Sequence, residues 1–485
     1  MTLKVRGGIA IGNDIALTIL FQGLSALISY GAQIVVSRTL GESGFDIYSL
    51  VFSYMILASA LTDFGIVAVV YPRIAVAGGT ATPAFFAALR LRAVIYLLGS
   101  FLVALGVVLV EGTELLLPTV CGLLVIVFSA KLTGVRQVAE MIWKISGRTW
   151  IVGAMTAFDS ALFLGIVYLL GRKFALSPAD MFLLLGATSV PTFLFVFYGI
   201  RRATRDVEKR YRRISPRYLR AILSAAFPIA VMAIASQVFG RIEPMIISRM
   251  IGIDLVGDYT NAVFPLGGTI FIPLTIAIGI LPFVSQVHRA RRSDFEMSWI
   301  ISTGIRSIGA IAVLIGIVSF IFAEPILSLF GPAYVDDAWI MRIYTMTTLL
   351  EFIVIFGDQM LIATDRRREL MIATLLSLAL VILFQVSAIT LFGIAGVLYG
   401  KIGALTIKIA YQYRSFDEPI RSGLRDGIVR ILLSAVISGG ILFATKDLAY
   451  PLSFPLAMAG AIAILWFTKC IDPERLKRLR GIRLT

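Results

Sequence analysis

Apolar and polar positions alternate along the chain in long blocks. Apolar blocks of about 20 residues, the length that crosses a membrane as a helix, are separated by short polar segments. Because the fourth block is short and the eleventh and twelfth nearly touch, twelve or thirteen spans are the alternatives to fourteen. We place fourteen spans at approximately 13–36, 46–72, 93–110, 115–130, 150–170, 179–200, 221–248, 259–285, 299–322, 340–363, 370–390, 394–412, 427–444 and 450–468.

Composition supports the same class of protein. Hydrophobic residues make up 58% of the 485 positions and charged residues 15%, whereas a soluble globular chain has about 25% charged residues. The pattern and the composition together predict an all-α polytopic membrane protein.

The basic residues indicate the orientation in the membrane. Cytoplasmic loops carry an excess of Lys and Arg. When the N-terminus is placed in the cytoplasm, the stretch 131–149 is one of the cytoplasmic loops. The bias predicts that both termini are cytoplasmic, and it explains the net charge of +15 without nucleic acid as a partner. With the N-terminus inside, only six of the 44 Lys and Arg fall in outside loops: Arg38, Arg172, Lys173, Arg249, Arg342 and Lys446.

Two short segments suggest that the chain is an internal duplication. SRTLG at 37–41 precedes Tyr48 and SRMIG at 248–252 precedes Tyr259, so both pairs have an offset of 211. Transporter folds are often built from such repeats. We predict four regions: an N-terminal six-helix lobe at 1–200, a basic cytoplasmic linker at 201–220, a C-terminal six-helix lobe at 221–412, and two extra helices with a basic cytoplasmic tail at 413–485.

The first span carries a polar stripe. Its polar residues are spaced by three or four positions, so they share one helical face. Polar side chains are costly against lipid and therefore face other helices or a water-filled cavity. The stripe predicts a cavity wall, with interhelical hydrogen bonding as the alternative. Its members are Asp14, Thr18, Gln22, Ser25, Ser29 and Gln33.

The seventh span carries an arginine inside an apolar block. Arg241 follows Gln237 by one helical turn, and Glu243 points elsewhere on the helix. A charge at this depth costs on the order of 3 kcal/mol, so Arg241 needs a partner or a function. We consider it as an anion contact in a central cavity, with an ion pair to another helix as the alternative.

Charged pairs also recur in the tenth and twelfth spans. Glu351 and Asp358 are seven residues apart, as are Lys401 and Lys408, and a spacing of seven keeps each pair on one face. The two stripes neutralise each other, or one carboxylate is a protonation site for ion-coupled transport. The candidates for such a site are Asp14, Asp63, Glu243, Glu351 and Asp358.

The motifs of common enzymes are absent from the sequence. It contains no G-x-x-x-x-G-K-[ST], no H-E-x-x-H and no G-x-S-x-G motif, and each of these signals a specific chemistry. A single histidine, His288, and two distant cysteines, Cys121 and Cys470, give no basis for a metal site or a disulfide framework. We therefore expect a protein that is not an enzyme and uses no cofactor or metal.

The chain resembles the polysaccharide transporter family. The resemblance lies in SRTLGESGFDIYSLVFSYMILASALTDFGI (37–66), EPILSLFGPAYVDDAWIMRIYTM (324–346), DQMLIATDRRREL (358–370) and the tail IDPERLKRLR (471–480). This family includes the Wzx-type O-antigen and exopolysaccharide flippases. It belongs to the multidrug/oligosaccharidyl-lipid/polysaccharide exporter superfamily.

The resemblance implies a fold and an activity. It implies two six-helix lobes in a V around a cationic cavity, with Arg38 and Arg249 near the outer ends of their spans, where cargo leaves. The cargo would be an undecaprenyl-pyrophosphate-linked oligosaccharide, flipped across the bacterial inner membrane by alternating access with an ion gradient as the energy source. Membrane lipids and the polysaccharide polymerase and chain-length machinery are the partners it implies.

Two other functions stay open at this point. A multidrug or cation antiporter of the same superfamily is the main alternative, and it would need an acidic cavity. A lipid II flippase is the other.

Overall fold

The fold is known from a computed structural model that describes residues 8–76, 83–132, 134–204, 214–290, 294–445 and 450–467. In these ranges every regular element is a helix, and ten of the helices are long and apolar enough to cross a membrane. Helices suit the bilayer because each satisfies its own backbone hydrogen bonds. The prediction of an all-α polytopic membrane protein is confirmed.

The chain divides into two compact units, Met1–Asp258 and Tyr259–Thr485. In unit 1, α1 packs along α6, and α4 packs along α7. The helices of unit 1 are α1 (Gly8–Asp63), α2 (Ile66–Val76), α3 (Pro83–Glu111), α4 (Leu116–Phe128), α5 (Val135–Ile145), α6 (Thr149–Gly171), α7 (Pro178–Thr204) and α8 (Pro216–Met250).

Unit 2 follows from Tyr259. Its closest helix pairs are α14 with α15 and α11 with α16. Its helices are α9, which begins just before the boundary (Val256–Gly267), α10 (Phe271–Arg289), α11 (Asp294–Ile321), α12 (Ala323–Ser328), α13 (Ala338–Ala363), α14 (Arg367–Phe392), α15 (Ile394–Ser415), α16 (Glu418–Thr445) and α17 (Tyr450–Phe467).

All fourteen predicted spans fall on helices within the described residues. The first two spans both belong to α1, which is interrupted at Gly41 with φ 67°, a conformation that favours glycine. The eleventh and twelfth spans are separate helices, α14 and α15, joined through Gly393 with φ 58°. A Cβ on Gly400 would come within 2.6 Å of the Gln385 backbone nitrogen, so the small residue lets α14 and α15 pack closely.

The second membrane segment is broken near its middle. α1 ends at Asp63 and α2 begins at Ile66, with Gly65 at φ 63° between them. A Cβ on Gly65 would lie 2.9 Å from the Cβ of Ile229 on α8. The break therefore needs glycine both for its backbone conformation and for its contact with α8.

The fourth segment is broken as well, which corrects the sequence assignment. The stretch 131–149, predicted as a cytoplasmic loop, contains α5. The chain leaves α4 at Ser129 in an extended conformation (φ −69°, ψ 137°) and re-enters a helix at Val135. The prediction failed because four basic residues in this stretch, Lys131, Arg136, Lys144 and Arg148, are typical of a loop.

The predicted lobe boundaries remain predictions. Residues 205–213 of the linker at 201–220 and the tail after 467 lie outside the described residues. The boundary between the compact units falls after Asp258, so α8, the seventh predicted span, is grouped with the helices that precede it.

Candidate functional site

A polar cavity lies inside unit 1, beside α1. Its volume is about 440 Å³, within the range of ordinary ligand pockets. The polar stripe of α1 supplies one wall, and the other walls come from the α4–α5 break, α5 and α6. The lining residues are Thr18, Gln22, Ser25, Ala26, Ser29, Ala130, Lys131, Gln137, Glu140, Lys144, Thr149, Val152, Gly153 and Thr156.

The stripe both lines the cavity and bonds to its neighbours. The Ser25 and Ser160 hydroxyl oxygens are 3.1 Å apart, and those of Thr18 and Thr149 are 3.0 Å apart. Gln22 is exposed and lines the cavity. The two alternatives for this stripe, cavity wall and interhelical bonding, therefore describe the same face of α1.

The break between α4 and α5 brings a lysine to the cavity. Gly134 packs so closely on the Ile126 carbonyl that a Cβ there would overlap it. This turn carries Lys131, whose Nζ donates a hydrogen bond of 2.7 Å to the Ser29 hydroxyl on α1. An ammonium group has three N–H donors, so Lys131 has donors left for a ligand.

A buried charge cluster lies beneath the cavity. The Arg136 side chain is fully buried. Its Nε donates to Glu140 Oε1 at 2.9 Å, and its Nη1 lies 3.1 Å from Asp159 Oδ2. The Thr192 hydroxyl donates to the other Asp159 oxygen at 2.6 Å. One guanidinium thus joins α5, α6 and α7, and Glu140 connects the cluster to the cavity.

A second buried arginine links the other broken segment to the same cavity. Arg92 on α3 is fully buried and forms an ion pair with Asp63. Its Nε donates to the Thr62 carbonyl at 3.2 Å, and its Nη1 donates to Gln137 Oε1 at 3.1 Å. Gln137 lines the cavity. The end of α1 at the break is therefore neutralised and connected to α5.

Asp14 has a capping role. Its carboxylate accepts hydrogen bonds from the Thr149 hydroxyl and from the backbone N–H groups of Thr149 (3.3 Å) and Trp150 (3.4 Å). These are the unpaired donors at the N-terminus of α6, which carboxylates stabilise. Of the proposed ion-coupling candidates, Asp14 and Asp63 thus have partners within unit 1.

In unit 2 the structure pairs the charged stripes of the tenth and twelfth spans. Lys401 Nζ lies 3.0 Å from Glu351 Oε1, and Lys408 Nζ lies 3.0 Å from Asp358 Oδ2. Gln412 also donates to Asp358 at 2.7 Å. The two stripes of α13 and α15 therefore form two successive ion pairs, which is the neutralising alternative.

Unit 2 contains a further charged cluster that the sequence did not indicate. Arg306 on α11 is buried and forms an ion pair with Asp426 on α16. Arg430 Nε lies 2.9 Å from the second Asp426 oxygen. The i, i+4 spacing of Asp426 and Arg430 was the available signal.

A metal site would need at least three acidic, histidine or cysteine side chains close together, and no such group occurs in the described ranges.

A model of the polysaccharide biosynthesis protein family matches residues 11–288. This match covers more than half of the chain and all of the cavity residues. The chain belongs to the polysaccharide biosynthesis protein family. No curated protein sequence matches this family member.

Solved structures show the same fold at low sequence identity. The lipid II flippase MurJ in an inward closed conformation matches with a TM-score of 0.71 and 14% identity, over 94% of this chain and 98% of that one. A multidrug resistance MATE family transporter, inward-facing, matches with a TM-score of 0.62 and 15% identity, over 84% and 98%. This member of the polysaccharide biosynthesis family thus has the fold of those transporters.

A third structure in this group is a superfamily transporter from Pyrococcus furiosus Vc1. It matches with a TM-score of 0.56 and 15% identity, over 86% of this chain and 96% of that one. For that transporter, the reverse polarity of the binding pocket suggests a different function.

The remaining predicted site residues lie on α1 and α8. Arg38 and Arg249 are exposed near the ends of the first and seventh spans, and Gln33 is half-buried. On α8, Gln237 is exposed, Arg241 is half-buried and Glu243 is buried. The structure does not bring Arg241 into the unit 1 cavity. Its role as an anion contact stays a prediction.

Sequence reasoning missed the residues at the centre of the site. Lys131, Arg136, Glu140 and Asp159 were either assigned to a loop or left unremarked. A signal was present, because Arg136 and Glu140 are spaced i, i+4 and Val138 and Met141 recur at helical intervals. That pattern is typical of an amphipathic helix, although it does not reveal the partners Asp159 and Thr192.

Proposed function

We propose that the protein is a flippase for an undecaprenyl-pyrophosphate-linked oligosaccharide, which it moves from the inner to the outer leaflet of the bacterial inner membrane. The observation that carries the proposal is the family match over residues 11–288, which contains the whole polar cavity. The product would supply O-antigen, exopolysaccharide or capsule synthesis.

The chemistry of the cavity suits such a substrate. Hydroxyl and amide groups from Thr18, Gln22, Ser29 and Gln137 line it, and these are donors and acceptors for saccharide hydroxyl groups. Lys131 offers an ammonium group, a common contact for phosphate. The exposed apolar surface of the helices keeps the polyprenyl chain in lipid while the polar head enters the protein.

Alternating access requires helices that can bend or separate. Two segments of unit 1 are broken, one at 64–65 and the other between the end of α4 at Phe128 and the start of α5 at Val135. Transporters commonly place their binding sites at discontinuous helices, and both breaks connect to the cavity through Arg92–Gln137 and Lys131. An ion gradient would supply the energy, with the N- and C-termini in the cytoplasm and the polymerase and chain-length machinery acting on the product.

The drug antiporter alternative is less well supported. A site for cationic drugs needs an uncompensated carboxylate. The carboxylates near the cavity, Asp14, Asp63, Glu140 and Asp159, each accept hydrogen bonds or ion pairs from protein donors. The lipid II flippase alternative shares the pyrophosphate chemistry, and essentiality of the gene would distinguish it.

A deletion strain tests the proposal. We expect surface polysaccharide to be lost and to return when the wild-type gene is supplied. Normal surface polymer together with increased sensitivity to cationic drugs would instead favour the antiporter, and failure to obtain the deletion without a second gene copy would favour the lipid II flippase.

A further inference from the structure

The buried charge cluster beneath the cavity depends in part on Lys131, a cation that a ligand in the cavity can draw away. Arg136 serves two carboxylates, Glu140 and Asp159. Lys131 also acts electrostatically on Asp159. Arg136 and Lys131 are thus the two cations that act on Asp159, and this compensation matters because an uncompensated buried charge costs several kcal/mol.

Lys131 differs from Arg136 in its freedom to move. Arg136 is held by Glu140, Asp159, Thr192 and the Phe128 carbonyl, and a guanidinium does not lose its proton in proteins. Lys131 lies in the non-helical turn, and its ammonium group donates a hydrogen bond to Ser29 across the cavity. An anion in the cavity can therefore draw the Lys131 ammonium towards itself.

The two carboxylates respond differently to the loss of Lys131. Glu140 keeps both Arg136 and Lys144 as neighbouring cations. Asp159 keeps its hydrogen bond from Arg136, which also pairs with Glu140, and its hydrogen bond from the Thr192 hydroxyl. The charged groups that act on Asp159 are the cations Arg136 and Lys131 and the carboxylate of Glu140. Asp159 is the group left with excess negative charge.

We propose that Asp159 is a proton-binding site linked to anion binding at Lys131: the pyrophosphate of the substrate takes the Lys131 ammonium, and the Asp159 carboxylate takes up one proton. This inference rests on the proposed pyrophosphate-linked substrate. Linkage is reciprocal, so protonation of Asp159 strengthens anion binding by the factor with which the anion favours protonation.

Equilibrium binding to the purified full-length protein tests the linkage. The probe is an undecaprenyl-pyrophosphate-linked sugar, and the neutral comparison is a polyprenyl glycoside without phosphate. For wild type we expect the Kd of the pyrophosphate probe to fall about tenfold for each pH unit of acidification where one proton is linked. The Kd of the neutral lipid should not change with pH.

Two variants locate the linkage. Asp159→Asn keeps one oxygen acceptor, which can serve Arg136, and mimics the protonated acid, so it should bind the probe tightly at every pH at which Lys131 is an ammonium. Lys131→Ala should bind weakly at every pH. Lys173→Ala and Asp254→Asn change exposed residues outside the cavity and should keep the wild-type Kd and its slope.

The outcomes separate this inference from the proposed function. Tight wild-type binding with a Kd independent of pH overturns the linkage and leaves the flippase proposal standing. A slope that persists in Asp159→Asn, or with the neutral lipid, also overturns the assignment to Asp159. Absence of probe binding by folded wild-type protein at every pH contradicts both proposals.

Discussion

Asp46 accepts a hydrogen bond of 2.7 Å from the backbone N–H of Gly257, a residue 211 positions later in the chain. This separation equals the offset of the predicted internal repeat, so the two residues are repeat counterparts. A two-fold relation between the Gly41 and Gly252 turns would bring counterparts that lie near its axis into contact. The bond supports the duplication hypothesis at the level of these two turns.

Gly257 should tolerate no side chain at this contact. A Cβ there would lie 2.5 Å from Asp46 Oδ1 and 3.1 Å from Phe45 Cδ1. We expect Gly257→Ala and Asp46→Ala each to lower the free energy of unfolding by about 2 kcal/mol, since the first displaces the acceptor of a buried hydrogen bond and the second removes it. Thermal unfolding of the purified protein in detergent measures the effect.

A matched control is available in the same turn. Asp254 is exposed, so Asp254→Ala should unfold at the wild-type temperature. Equal stability of Gly257→Ala and Asp254→Ala would show that the contact does not hold the turns together.

Arg136 should be the most sensitive residue of unit 1. Removing one partner of a buried ion pair costs about 3–5 kcal/mol, so we expect Arg136→Leu to lower the amount of folded protein strongly. Arg136→Lys should recover only part of the loss, because an ammonium cannot reproduce the fork of the guanidinium. The measurement is the folded fraction by size-exclusion chromatography, with the exposed Arg201→Ala as control. Wild-type behaviour of Arg136→Leu would contradict the buried cluster.

Variants of the Lys401–Glu351 pair distinguish a structural role of Glu351 from a role in ion coupling. A buried ion pair can often be replaced by apolar residues without loss of stability. We expect Lys401→Met to reduce protein level, because Glu351 is left buried without its cation. The double variant Lys401→Met/Glu351→Met should restore protein level and surface polysaccharide. A double variant that is abundant in the membrane but exports no polymer would instead assign Glu351 to ion coupling.

Arg241 tests the predicted anion contact on α8. We expect Arg241→Ala to insert and to reach wild-type abundance, since its side chain is half-buried, and to abolish polymer export. Membrane protein level and surface polysaccharide are measured in the deletion strain. Gln237→Ala, on the same side of α8, should have a smaller effect because it removes no charge. Normal export by Arg241→Ala would exclude Arg241 as a substrate contact.

The sequence predicted the helices and one wall of the cavity. Apolar block length located the spans, and the periodicity of Thr18, Gln22, Ser25 and Ser29 located the polar face, because both are local properties of a helix. The buried cluster was missed because Arg136 meets Asp159 only through the packing of α5 against α6. Contacts between segments are not encoded in the period of either one.

Charge was also the reason why α5 was assigned to a loop. Arg136 and Lys144 reduce the hydropathy of the fourth segment, although Glu140 neutralises Arg136 at 2.9 Å. A hydropathy pattern treats each charge as exposed. It therefore fails where charges pair inside a protein, as Arg136 and Glu140 do.

The sidedness of lipid-linked oligosaccharides in the inner membrane tests the central claim most directly. Complete units are extracted from a deletion strain after a membrane-impermeant enzyme has modified those exposed on the outer face. We predict that units accumulate and stay protected on the cytoplasmic face, and that the wild-type gene restores their exposure. Units of normal amount that reach the outer face in the deletion strain would contradict the flippase account.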